Sequence, residues 1–308
     1  MSEIFSTTIL GCSAATPTSL RHTTSQFLRY RSKNFLVDCA EGSQMQMRRG
    51  KMPVMKIDHI FISHLHGDHY LGLMGLLFSY HLMGREKTLF ITSPPGLKEI
   101  IDLQFRTSGH QPSYPITYQT IEKGQQRVYE DRNLTVDTIE MVHRLPCYGF
   151  LFREKKGTRN IQKDAIYKYQ IPVGKMDEIK KGSDFVADTG TVIPNHKITL
   201  DPPVPRAYAF CSDTGYTESY LEQIRGVDLL YHEATFLQDK TDKAREKMHC
   251  TTIDAATIAR KAEVKKLLLG HYSARYKDLT GFGYEAKSVF PNTLIGAEFM
   301  EVEVRPED

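Results

Sequence analysis

Cysteine is scarce in this chain and carries no pattern. The five residues, Cys12, Cys39, Cys147, Cys211 and Cys250, include no CxxC pair, which argues against a disulfide framework and for free thiols in a reducing compartment. No apolar run reaches the length of a membrane span, and no basic segment followed by an apolar one opens the sequence. A membrane partner is therefore not expected, and a soluble, cytoplasmic protein is. GxSxG, Walker-type and Rossmann glycine signatures are missing too, so a serine nucleophile and a nucleotide cofactor lack support. There is no internal repeat and no low-complexity tract. What is present is 308 residues, 40% of them hydrophobic, enough to bury one large core or two smaller ones.

Against this background one run stands out: His64-Leu65-His66-Gly67-Asp68-His69. Imidazole nitrogen and carboxylate oxygen are donors that zinc takes at about 2.0–2.2 Å. The alternative is a polar strand-end loop whose histidines are merely solvated. Residues 57–62 before it are apolar and β-branched and read as a buried strand. The run thus sits beyond a strand's carboxyl end, where α/β sheets present their chemistry. His64 and His66 can face one ion, while Gly67 turns Asp68 and His69 toward a second.

Two ions need more donors, and further strand-like segments end on them. Residues 134–142 alternate and lead to His143, 207–212 lead to Asp213, and 266–270 lead to His271. Taken singly, a strand-end histidine is more often a hydrogen-bonded structural residue. Together they give His64, His66 and His143 on one ion, Asp68, His69 and His271 on the other, and Asp213 bridging. That is the donor set of a two-metal hydrolytic site with ions about 3.5–4 Å apart.

These motifs, with Ser212-Asp213-Thr214 and Gly270-His271, resemble the metallo-β-lactamase superfamily. Asp38-Cys39-Ala40-Glu41-Gly42-Ser43-Gln44, His232-Glu233-Ala234-Thr235-Phe236 and His271-Tyr272-Ser273-Ala274-Arg275-Tyr276 narrow the resemblance to ribonuclease Z, the endonuclease that trims tRNA 3′ ends. Periodicity alone gives α/β, with strands at 4–10, 25–30, 35–38, 58–63, 228–231 and 266–270 and helices at 71–81, 97–106, 217–224 and 252–262. The resemblance implies the finer architecture, a four-layer αββα sandwich. It also implies two zinc ions per subunit with manganese as a substitute, a precursor tRNA as partner, and a homodimer.

Between Phe152 and about Pro202 the apolar runs thin out. Residues 155–181 hold eight Lys/Arg against three Asp/Glu, a local +5 in a chain whose total is +3. A charge run is usually a solvated surface; it can also follow a nucleic-acid backbone with salt-dependent, sequence-independent affinity. The resemblance selects the second reading: one domain over 1–308, with 153–202 inserted as a flexible tRNA-binding arm. The family's Gly-Pro motif has no counterpart in Ile171-Pro172-Val173-Gly174-Lys175.

Phosphodiester hydrolysis also needs an acceptor for the water's proton and a donor for the leaving oxygen. Asp68 occupies the family's acceptor position. His249 is the expected donor, held as imidazolium by a carboxylate such as Glu233; an exposed helix-start residue is its structural alternative. The family has His-Ser-Thr where this chain has His249-Cys250-Thr251. Asp38 is expected to hold the metal loop from behind, and His232 to be structural. Residues 16–25 are expected over the site, where the family has a basic stretch ending Arg-Asn and this chain has Arg21-His22. The function expected is a zinc-dependent endoribonuclease that removes the 3′ trailer from tRNA precursors, leaving a tRNA 3′-hydroxyl and a 5′-phosphorylated trailer. The alternative is a small-molecule phosphodiesterase or other hydrolase on the same fold. A third reading, a non-catalytic RNA-binding subunit, would have been favoured by an incomplete donor set.

Overall fold

Several strands of this chain are apolar on both faces, and such strands are stable only when covered twice. In the computed structural model, which describes residues 3–306, they lie in two seven-stranded sheets. The first runs, edge to edge, Glu301–Glu303, Phe5–Gly11, Ser25–Tyr30, Lys33–Val37, His59–Phe61, Leu89–Ser93, Ile116–Thr120. The second runs Thr293–Ile295, Leu267–Gly270, Leu229–Glu233, Ala207–Cys211, Tyr148–Glu154, Leu134–Glu140, Arg127–Glu130.

The strand Lys33–Val37 shows why there are four layers. Phe35 looks toward the second sheet, its ring centroid 5.9 Å from that of Phe152. Leu36, its neighbour, shares a buried cluster with Leu73, Leu76 and Leu77 of the helix Leu73–Leu82 and with Leu97 and Ile101 of the helix Leu97–Thr107. The helices Thr252–Lys261 and Thr280–Val289 pack on the second sheet. This is the αββα sandwich.

Where the strands become parallel, the sheets deliver their chemistry at one edge. Lys33–Val37, His59–Phe61, Leu89–Ser93 and Ile116–Thr120 are parallel neighbours. So are Ala207–Cys211, Leu229–Glu233, Leu267–Gly270 and Thr293–Ile295. Their carboxyl ends run into Asp38, the loop 63–69, Asp213, Glu233 and His271. After the metal loop the chain passes so close to residues 38–42 that a Cβ at Gly72 would lie 2.0 Å from the Ala40 carbonyl oxygen. Only glycine fits there.

One expectation is extended and one changes. The helix expected at 71–81 is present as Leu73–Leu82, and a short helix not expected, Gly67–Tyr70, precedes it; the two stay separate because the Gly72 amide donates to the Cys39 carbonyl at 2.9 Å rather than within a helix. Residues 217–224 form successive turns and no helix. There Leu221 N–H donates to Glu218 O at 3.2 Å and Gln223 N–H to Tyr220 O at 3.0 Å. Tyr220 is drawn inward, its hydroxyl 2.8 Å from His232 Nε2, and that tertiary contact outweighs a weak helical preference.

The chain divides into two compact units. One comprises the chain up to Tyr129, Thr135–Phe152 and the residues from Arg206 onward; the other comprises Glu130–Leu134 and Arg153–Pro205. The second has a small core of its own: Ala165, Ile171, Ile179, Phe185, Ile193 and Ile198. Around it lie the helices Lys163–Lys168 and Val173–Lys180 and two short antiparallel ladders. Among the described residues no helix is long and apolar enough to cross a membrane.

Candidate metal centre

The site is built from a buried carboxylate outward. Asp38 follows the strand Lys33–Val37 in left-handed backbone, φ 57°, a conformation that costs a non-glycine residue about 1–3 kcal/mol. Its Oδ1 accepts from the Ser63 amide at 2.7 Å; its Oδ2 accepts from the Ser63 hydroxyl at 2.9 Å and from His69 Nδ1 at 2.7 Å. These bonds fix the loop 63–69 from behind. They also set the His69 tautomer: with Nδ1 donating, Nε2 is left for a ligand.

The other rings are turned in the same way. His64 Nδ1 donates to Ser63 Oγ at 3.0 Å, His143 Nδ1 to the Met248 carbonyl at 3.2 Å, and His271 Nδ1 to Thr235 Oγ1 at 2.9 Å. His64 Nε2 and His143 Nε2 then lie 2.9 and 3.2 Å from His66 Nδ1, and 3.7 and 3.9 Å from Asp213 Oδ2. On the other side of Asp213, His69 Nε2 and His271 Nε2 lie 3.2 and 3.1 Å from Oδ1 and 3.5 and 3.6 Å from Asp68 Oδ2. All seven residues expected as metal donors are thus gathered. They form two groups able to hold an ion, His64/His66/His143/Asp213 and Asp68/His69/His271, with Asp213/His249/His271 as a third.

The electrostatics ask for a cation at this point. Nε2 of His69 and of His271 are buried and, though 3.2 and 3.1 Å from Asp213 Oδ1, make no aligned hydrogen bond, a state that buried polar atoms rarely tolerate. Burial works against charge on His69, yet the carboxylates of Asp213, Asp68 and Asp38 push its pKa well above the ordinary imidazole range. Burial would likewise raise Asp213, but His271, His69 and His64 hold it well below the usual carboxylate range. Nitrogen and carboxylate donors without a thiol suit zinc or manganese. The residues fit a divalent metal.

Beside these donors stands a second device. Glu233 ends the strand Leu229–Glu233, fully buried. It accepts from the amides of Thr214 and Thr235, each at 3.0 Å, from the Thr235 hydroxyl at 2.7 Å and from His249 Nδ1 at 2.8 Å. Burial lowers the His249 pKa, but the Glu233 charge and hydrogen bond, with Asp213 and Asp68 behind them, lift it to about 9. The His249 side chain is only 16% exposed, unlike a free helix-start residue. It lines, with the metal donors, a cleft of about 540 Å³. His232 is enclosed, its Nδ1 donating to the Glu233 carbonyl at 2.7 Å and its Nε2 facing Tyr220. It is structural.

The loop expected over the site reaches the cleft mainly through its backbone. Ala15 and Pro17 line the cleft, and the Ala15 amide donates to Asp68 Oδ2 at 2.7 Å. Arg21 is buried and donates to the Tyr276 carbonyl, while His22 Nδ1 lies 3.1 Å from Glu298. Both are loop anchors. Sequence reasoning missed Thr235, which links His271 to Glu233, and gave no site role to four cations lining the cleft: Arg144, Lys243, Lys247 and Arg275. The one available signal was the 243/247 spacing, a helical turn apart just before His249.

Over residues 5–171 the chain matches the family model described as Anti-Pycsar protein Apyc1. It is 45% identical to Ribonuclease Z of Phocaeicola vulgatus over 303 residues, 98% of each chain. Among solved structures, human tRNase Z, short form, is similar with TM-score 0.69 at 24% identity, covering 98% of this chain and all of that one. The metallo-beta-lactamase fold protein YhfI from Bacillus subtilis is similar with TM-score 0.70 at 19% identity, covering 98% and 100%. At those identities the two structures show a shared fold.

Proposed function

Since the chain belongs to the ribonuclease Z family over 98% of its length, and over residues 5–171 to the family of the Anti-Pycsar protein Apyc1, we propose that it is a metal-dependent endoribonuclease that removes the 3′ trailer from tRNA precursors, leaving a tRNA 3′-hydroxyl and a 5′-phosphorylated trailer. The observation that carries the reading is the 45% identity over 98% of both chains.

The site supports that chemistry. His64, His66 and His143 with one oxygen of Asp213 would hold one ion, and Asp68, His69 and His271 with the other oxygen the second. We take both to be zinc, with manganese as the substitute. Such a pair, when bound, neutralises phosphate oxygens and acidifies water. The chain's own residues do the rest. Burial disfavours charge on Asp68, but His69 and His271 outweigh it and keep the carboxyl far below its ordinary pKa. That depression keeps it ionised and makes it a weak base; held by the Ala15 amide, it can orient an attacking water and take its proton as the bond to phosphorus forms and the water turns acidic. His249, its charge maintained by Glu233, gives a proton to the departing 3′ oxygen.

In the second unit, Lys156, Arg159, Lys180 and Lys181 line a hollow of about 380 Å³ with Asp201 as the carboxylate among them. This supports residues 153–202 as a tRNA-binding arm inserted in a domain spanning 1–308. A homodimer in the cytoplasm is the assembly and location that go with this reading.

The test is a tRNA precursor with a 3′ trailer, given to zinc-loaded protein, with the cut position and end groups mapped. Cleavage beside the discriminator base, leaving a tRNA 3′-hydroxyl and abolished by a chelator, is the expected result. No cleavage by fully loaded protein that still hydrolyses a small diester would point to the small-molecule phosphodiesterase instead.

A further inference from the structure

Lys243 and Lys247 stand one turn apart on the helix Thr241–Lys247, so they share a face and lie about 6 Å apart along its axis. Both are half-buried and line the cleft with His143, Asp213 and His249. Arg144 follows His143, and its Nη2 donates to the Glu246 carbonyl at 3.1 Å, which ties the guanidinium to the end of the same helix. Arg245, on that helix, makes two 2.8 Å bonds to Asp254 and anchors it to the helix Thr252–Lys261. The helix stops at Met248 in left-handed backbone, φ 58°. The next residue is His249, whose amide closes on the Ala244 carbonyl at 2.9 Å. The row of cations and His249 are therefore one rigid piece.

Charge and spacing say what the row is for. Glu246 lies 2.7 Å from Lys247 and neutralises part of it, leaving Lys243 and Arg144 in surplus. Cations about 6 Å apart along a helix match successive phosphates along one nucleic-acid strand better than they match a single phosphate already held at the metal donors. A row fixed to His249 also gives register, because it determines which phosphate comes to rest at those donors.

We propose that Lys243, Lys247 and Arg144 hold the backbone phosphates on the leaving side of the scissile bond, the strand immediately upstream of the cut. This rests on the tRNA-processing reading above. The side follows from His249: a residue that protonates the leaving oxygen stands beside the leaving strand, and the row is fixed to that residue.

The experiment is a coupling measurement on the full-length, metal-loaded protein. A tRNA precursor carries a neutral methylphosphonate at either the first phosphate upstream of the cut or the first one downstream. With wild type, the upstream replacement should raise KM about tenfold, as expected when one charge-assisted hydrogen bond is removed. With Lys243→Ala/Lys247→Ala it should raise KM less than about twofold, since the partner is already gone. The downstream replacement should act alike on both proteins. The variant's own KM should rise, with a log–log salt slope shallower by about 1–2, since Glu246 already offsets part of Lys247. Lys243→Arg/Lys247→Arg should restore both, which separates lost charge from lost folding. Coupling to the downstream phosphate, or to neither, overturns the proposal and leaves the tRNA reading standing. Wild type that cuts no precursor while hydrolysing a small diester overturns both.

Discussion

Removing His249 should slow cleavage of a precursor by about 10²–10⁴-fold and leave the metal content intact. A positioned general acid contributes that factor, which is about 3–5 kcal/mol of barrier at 1.36 kcal/mol per decade. The structure favours the upper part of the range. Glu233 is buried and receives four donors, so water does not screen its charge, and the ring it holds keeps its proton up to about pH 9. The discriminating assay changes the leaving group. In a precursor whose bridging 3′ oxygen is replaced by sulfur, the departing thiolate is stable near neutral pH, with a pKa of about 8.5, and needs no proton. On that substrate His249→Ala should lose less than about tenfold of what wild type achieves, in the range left by positioning alone. Equal losses on the oxygen and sulfur substrates would refute proton donation. His249 also belongs to a third group of potential donors with Asp213 and His271, so metal per subunit is measured on the same preparations. A fall in metal would make it a ligand.

His66→Ala removes the nitrogen that lies 2.9 and 3.2 Å from those of His64 and His143, and should abolish metal binding and cleavage together; full metal content by elemental analysis would contradict the assignment. Replacing Lys175, Lys180 and Lys181 with Ala should weaken precursor binding and flatten its log–log salt slope by about 0.9 for each phosphate no longer neutralised. An unchanged slope would leave the second unit without its proposed part in binding. His59 is buried, stacked on Phe61 at 4.2 Å and bonded to Thr92 at 2.7 Å; burial, then the Lys33 charge, lower its pKa to about 3. The folded ring stays neutral while the unfolded one takes a proton below about pH 6.5, so its share of stability is whole above that pH and falls with acidification, by about 2 kcal/mol at pH 5. His59→Gln should remove that slope from urea unfolding at pH 7 and pH 5, and identical pH differences in the two proteins would refute the account.

A metal donor set is legible in a sequence because few residue types qualify and because strand ends gather them. His64, His143, Asp213 and His271 each stand within three positions of a strand's carboxyl end, and parallel register carries the ends before His64, Asp213 and His271 to one edge. The direction in which each ring is turned is not legible. The tautomer of His143 is set by a carbonyl 105 positions later, and that of His271 by the Thr235 hydroxyl; neither partner has a sequence signature. The layers are half legible: Phe35 and Leu36, both apolar, require a strand covered twice without saying which face meets the other sheet. Residues 217–224 mislead because one inward hydrogen bond from Tyr220 decides their path.

Arg21 and Lys243 show the same limit from opposite sides. Arg21 stands where a cation facing RNA would be expected, yet the guanidinium is spent on the Tyr276 carbonyl within the fold. Charge counted in a sequence is not charge available to a ligand. Lys243 and Lys247 look like ordinary helix surface, and they become cleft cations because a left-handed residue, Met248, turns the helix end back toward His143. The chemistry is written in residue types, but its delivery depends on Asp38, Met248 and His271, three non-glycine residues at φ 57°, 58° and 59°. Each is strained locally and held by the surrounding hydrogen bonds. Strain of that kind is a property of the folded network, so a single chain read residue by residue gives no sign of where it lies.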